Sequence, residues 1–178
     1  MISFFKAIVA SYYLFIQSFN SVYITEAPTA FLDEKPWHKL EQTILKTNYK
    51  FYNILWQGEG GYLDEGKEFI DVVHKAQKQG KQINIFVIGD SYSMHASAVC
   101  AADHIYFWNH SFLMFHVAAS AFMNIREPNF QPANHLLFDE CIEKGILTPA
   151  KVNKIRSGFE FYYTPKKTWY KIDNRPTL

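Results

Sequence analysis

Residues 83–88, Ile-Asn-Ile-Phe-Val-Ile, leave this chain the fewest structural choices. A nearly continuous apolar run of strand length, rich in β-branched side chains, suits a strand buried on both faces. Gly89 and Asp90 are expected to break it, ahead of Ser91-Tyr92-Ser93-Met94-His95-Ala96. From Met94 to Ala102 the residues are mostly small (Ala96, Ser97, Ala98, Cys100, Ala101, Ala102), which suits a helix packed close to its neighbours. Strand, Gly-marked turn, serine and small-residue helix set the hydroxyl of Ser93 at a helix N-terminus. Free backbone N–H groups there favour developing negative charge. A second apolar run, Phe112 to Phe115, delivers His116 at its end. A nucleophile on a turn and a base at a strand end is a layout for acyl transfer. Taken alone, the same residues also read as an N-cap serine and a structural histidine.

An upstream pattern favours the chemical reading. Ile54-Leu55-Trp56 reads as a strand that runs into Gln57-Gly58-Glu59-Gly60-Gly61, followed by a helical pattern. A backbone can turn sharply at Gly60-Gly61 and present its N–H groups, which is what an oxyanion hole requires.

In this order, the motifs resemble the proteolytic subunit of the Clp protease. They are a strand, Gly58-Glu59-Gly60-Gly61, a helix, a strand, Tyr92-Ser93-Met94-His95-Ala96, and a strand ending Met114-Phe115-His116. The resemblance extends more loosely over roughly residues 13–173 and implies an α/β fold of the ClpP/crotonase-like kind. That fold is a spiral of β-β-α units with a mostly parallel sheet flanked by helices. The resemblance further implies a serine endopeptidase. Ser93 is its nucleophile and His116 its base, with an oxyanion hole from the N–H groups near Gly60-Gly61 and of Met94. No cofactor or metal is implied. The implied partners are a protein or peptide substrate, other copies in a homo-oligomeric ring, and a separate AAA+ unfoldase that consumes the ATP.

The third member of the triad is expected in a segment that this chain writes as Gly158-Phe159-Glu160-Phe161-Tyr162-Tyr163-Thr164-Pro165. Glu160 falls where the family has Asp, and a Ser-His-Glu arrangement can do the same work. Asp139 is the rival. Three departures keep open a catalytically inactive assembly subunit: Gly58-Glu59 stands for the family's Ser-Pro, Glu160 for Asp, and the handle after His116 is changed. A crotonase-type enzyme acting on acyl thioesters, which shares the fold and a backbone oxyanion hole, is a further alternative. His95 replaces a small residue two places after the nucleophile and is expected to crowd the pocket or contact substrate. The remaining histidines (His38, His74, His104, His110, His135) show no metal-ligand spacing and read as structural or exposed.

Length bounds the rest. The 178 residues suit a single domain with a substantial core. A net charge of +1 with 20% charged residues gives no basic face for nucleic acid. Cys100 and Cys141 define neither a disulfide framework nor a metal site, so Cys100 reads as a buried thiol and the compartment as the reducing cytoplasm. In residues 1–24 only Lys6 is charged, and Ala7–Ile16 is apolar like the start of a signal peptide. That stretch is too short for a membrane span. The resemblance implies a competing reading, which is preferred: an N-terminal extension (1–12), a docking helix (Tyr13–Phe19) and a first strand (Val22–Thr25).

Helical spacing after Pro36 (Trp37, Leu40, Ile44, Leu45) and a strand at Tyr52–Trp56 complete one β-α-β unit. Phe69, Val72, Val73 and Ala76 mark a second helix, closed near Gly80. After His116 the family has a long handle helix through which two rings stack. Here Pro128 and Pro132 interrupt it, so residues 117–146 are expected to form an altered handle, and a single ring or smaller assembly is expected over a double ring. Helical spacing resumes at Leu136–Lys144, and again through Leu147–Arg156.

Overall fold

The computed structural model describes residues 21–31, 34–117, 138–165 and 171–173. In chain order the first elements are β1 (Val22–Glu26), β2 (Ala30–Phe31), α1 (Glu34–Lys46), β3 (Phe51–Gly58), β4 (Gly60–Gly61) and α2 (Leu63–Lys78). Next come β5 (Gln82–Tyr92), α3 (Met94–Ala98) with a 3-10 turn at Val99–Ala101, β6 (His104–Phe107) and β7 (Leu113–Phe115). Last are α4 (138–143), α5 (Pro149–Arg156), β8 (Phe161–Tyr163) and β9 (Lys171–Asp173).

The expected β-α-β units form. β1, β3, β5 and β6 lie side by side and parallel, and β9 closes the row antiparallel to β6. The fold is thus α/β with a mostly parallel central sheet flanked by helices. Pro36 sits in the first turn of α1, where a backbone N–H has no intrahelical partner to lose. The other end of α1 is capped by Lys81, whose Nζ donates to the carbonyls of Ile44 at 2.7 Å and Leu45 at 2.9 Å. At α5, Thr148 Oγ1 accepts from the Lys151 N–H and Pro149 takes the first helical position.

The core lies on one face of the sheet. Tyr52, Ile54 and Trp56 of β3, Ile83, Ile85 and Val87 of β5, and Ile105 and Phe107 of β6 are fully buried. Trp37, Leu40 and Ile44 of α1, and Phe69, Val73 and Ala76 of α2, join them in the same cluster. The alternate residues Phe51, Leu55, Phe86, Ile88 and Tyr106 are only half-buried. The expectation that 83–88 is buried on both faces therefore holds fully for one face alone. On the other, Phe86 stacks on Tyr106 at 4.6 Å and Asn84 Nδ2 donates to Asn53 Oδ1 at 2.7 Å.

Two local expectations are corrected. β5 does not end at Gly89 but runs to Tyr92, because its two halves have different partners. Asn84–Val87 pair with β6, whereas Ser91 and Tyr92 pair with Leu113 and Met114 of β7, which holds the chain extended past the glycine. The helix from Met94 is α only to Ala98 and tightens to a 3-10 turn thereafter. Both the docking helix at 13–19 and residues 118–137 of the altered handle lie outside the described residues.

Cys100 is not a free thiol. Its sulfur is bonded to that of Cys141, with the Cα atoms 5.1 Å apart, and both residues are fully buried. The bond ties the 3-10 turn behind Ser93 to α4, which is also held to α2 by His74 Nε2 lying 3.0 Å from a Glu140 oxygen. That carboxylate raises the pKa of His74 against the opposing effect of burial. Closing a loop across a sequence separation of 41 is worth about 4 kcal/mol by chain entropy. A Cys100→Ser, Cys141→Ser variant is expected to melt well below the oxidised parent, and reductant is expected to lower the parent's Tm towards the variant's. Free thiols titrating in the unreduced, denatured parent would contradict this pairing.

Candidate active site

Ser93 follows β5 directly. Its N–H donates to the carbonyl of Met114 at 2.8 Å, extending the β5–β7 ladder, and its own carbonyl accepts from Ser97 N–H at 3.1 Å to start α3. Serving as the last ladder residue and as helix cap at once forces a sharp reversal, and Ser93 takes φ 55° and ψ −121°. A side chain rarely adopts such backbone angles, which cost about 1–3 kcal/mol and persist only where the surroundings impose them. The reversal leaves Ser93 half-buried, while Ser91 is fully buried in the strand and its hydroxyl has no hydrogen-bond partner among the described residues. Of the two serines, only Ser93 is open to solvent.

Gly60 lies directly against it. A Cβ on Gly60 would stand 2.7 Å from Ser93 Cβ and 3.3 Å from its Oγ, and φ there is +108°. Both the space and the backbone angle demand glycine. β4, which carries Gly60 and Gly61, pairs in parallel with Ala30 and Phe31 of β2, so the glycine turn is held as a two-stranded ribbon.

His95 secures that ribbon. The sequence suggested a residue crowding the pocket, whereas its ring is fully buried beneath the turn. Nε2 lies 2.8 Å from the carbonyl of Pro28 and Nδ1 3.1 Å from that of Gly60. Phe31, Trp37 and Trp56 surround it, with ring centroids at 4.7, 5.5 and 5.2 Å, and Trp56 Nε1 donates to the His95 carbonyl at 3.1 Å. Gly58 has no room for a side chain because His95 Nε2 and the Thr29 carbonyl occupy it. Burial lowers the pKa of His95, outweighing the two carbonyls that would raise it.

His116 and Glu160 enter by strand register. Parallel pairing of Ser91 with Leu113 and of Tyr92 with Met114 brings the end of β7, and His116 after it, beside the Ser93 turn. Antiparallel pairing of Phe115 with Phe161 then sets Glu160 across from His116 one step further on. His116 is half-buried and Glu160 exposed, and Glu160 Oε2 accepts the Tyr162 hydroxyl at 3.0 Å. Among the described residues no hydrogen bond joins Ser93 to His116 or His116 to Glu160. Asp139 is exposed on α4. Met94 is buried at the first turn of α3, its side chain packed where a Cβ of Gly66 would fall. The nucleophile, base and acid candidates thus gather at one end of the sheet with Gly60 beside them, at the carboxyl ends of the parallel strands where α/β folds carry their sites.

Because its folded pKa is depressed, His95 contributes stability that is present above its ordinary value of 6.5 and is lost as pH falls below it. His95→Phe, which cannot bond the Pro28 and Gly60 carbonyls, is expected to lower the Tm at pH 8, and its deficit relative to the parent is expected to narrow between pH 6.5 and 5. A deficit constant across that range would mean that the imidazole is not held neutral under the turn.

No model of a known protein family matches this chain, and no curated protein matches it in sequence.

Proposed function

We propose that this protein is a serine endopeptidase of the kind found in the proteolytic subunit of the Clp protease, on a ClpP/crotonase-like fold. The observation that carries this reading is the strained Ser93 turn pressed against Gly60, with His116 and Glu160 following in register on β7 and β8. A structural N-cap has no need of a positive φ, since an N-cap residue normally sits in the extended region. A serine that must lift its hydroxyl out of a strand and into a helix N-terminus does need it.

In the proposed mechanism His116 accepts the Oγ proton as Ser93 attacks the peptide carbonyl. The backbone N–H groups at Gly60-Gly61 and of Met94 receive the oxyanion. Collapse of the tetrahedral adduct passes the proton from His116 to the leaving amine and leaves an acyl group on Ser93. Water, activated by the same imidazole, releases it. Glu160 exchanges the Tyr162 hydroxyl for the imidazole N–H and stabilises the cation formed on attack.

The partners proposed are a peptide or unfolded protein, with an AAA+ unfoldase as a separate supplier, and further copies of this chain in a ring. Among the described residues Tyr62, Phe159 and Tyr162 are large apolar side chains exposed to solvent, and they support self-association. With Cys100 bonded to Cys141, an oxidising compartment suits the chain better than the cytoplasm expected from its cysteine count. No helix among the described residues is long and apolar enough to cross a membrane. A second reading, an inactive assembly subunit, draws on the absence of a Ser93–His116 hydrogen bond and on the engagement of Glu160 with Tyr162.

Cleavage of fluorogenic peptides tests both. The parent is expected to cleave them and Ser93→Ala to abolish turnover with an unchanged Tm. Glu160→Gln is expected to reduce turnover by roughly 10⁴-fold with little change in stability. A collapse with Asp139→Asn instead would transfer the orienting role to Asp139. A folded parent that cleaves no peptide supports the inactive subunit.

A further inference from the structure

α1 and α2 face each other across a cavity of about 410 Å³ lined by Lys35, His38, Glu41, Glu65 and Glu68. His38 and Glu41 are one helical turn apart on α1, and Glu65 and Glu68 one turn apart on α2, so each pair presents its side chains to the same cleft. We propose that His38, Glu41 and Glu68 bind a divalent transition-metal ion of the zinc type, with a fourth position left to Glu65 or water.

The geometry supports this in three ways. One ligating atom from each of His38, Glu41 and Glu68 lies within 4.8 Å of the other two. His38 Nδ1 and Glu41 Oε2 are 3.8 Å apart, too far for a hydrogen bond. Two ligands sharing one ion at roughly 2.0–2.2 Å are themselves about 3–3.5 Å apart, so a small closure suffices. His38 and Glu68 are exposed and free to make it, whereas Glu41 is fixed.

Glu41 is the anchor. Its side chain is only 5% exposed and faces the cavity, yet among the described residues it has no hydrogen-bond donor. A carboxylate withdrawn from water without a donor is costly unless a proton or a cation joins it. Glu65 and Glu68 line the same cavity, and a cation between the helices would offset the repulsion among these carboxylates. The imidazole selects among cations, since Mg²⁺ and Ca²⁺ prefer all-oxygen sites and zinc accepts mixed nitrogen and oxygen ligands.

Titration calorimetry of the full-length oxidised protein with zinc chloride tests the assignment. One zinc per chain is expected, with no comparable heat from magnesium. Glu41→Gln and His38→Ala should each weaken binding by roughly tenfold or more. His38 is on the surface, so its variant is expected to fold, and zinc should raise the parent's Tm but not that variant's. Absence of zinc binding at millimolar concentration would overturn the proposal. So would zinc binding of parental strength in both variants.

Discussion

The imidazole of His95 faces a backbone carbonyl from each ring nitrogen, Pro28 from Nε2 at 2.8 Å and Gly60 from Nδ1 at 3.1 Å, and in its neutral form it donates to one of them. Wrapped by Phe31, Trp37 and Trp56, the ring joins the strand before α1, the glycine turn after β3 and the helix after Ser93. These three segments are otherwise far apart in sequence. Their joint closeness lets Gly60 press on Ser93, and it makes the positive φ of Ser93 sustainable. The strain of about 1–3 kcal/mol is small beside what the surrounding aromatic core gains by burial, about 1.5–3 kcal/mol for each large side chain. The turn is therefore held by its foundation more than by its own preferences.

Much of the architecture was legible because it rests on periodicity. The alternation of Tyr52, Ile54 and Trp56, the helical stripe of Phe69, Val72, Val73 and Ala76, and Pro36 at a helix start each identify an element locally. What the sequence hid depends on pairing. The short strands β2, β4, β8 and β9 have too few residues to show a period and exist through their neighbours. β5 outran its glycine because β7 caught its far end. Cys100 and Cys141, 41 positions apart, carry no spacing that signals a bond, and only the packing of α4 brings them together.

The candidate site divides in the same way. Ser93, His116 and the Gly60-Gly61 turn follow from motif order, and strand register brings Glu160 opposite His116. The role of His95 was not readable, because a histidine two residues after a serine looks the same whether it faces a pocket or the core. The cleft between α1 and α2 was equally silent. His38 and Glu41 are an ordinary helical pair until α2 brings Glu65 and Glu68 across from them. Gly66, beside Glu65, packs on Met94, so α2 touches both regions of the molecule.

The central claim is that the Ser93 hydroxyl, which makes no capping hydrogen bond, is an activated nucleophile. Treating the folded protein with a fluorophosphonate and mapping the adduct by peptide mass spectrometry tests it most directly. The account predicts one phosphonylated residue per chain, Ser93, with Ser91 unmodified because it is fully buried, and no adduct after denaturation. An unmodified Ser93 in the folded protein, or an adduct on Ser91, would contradict it.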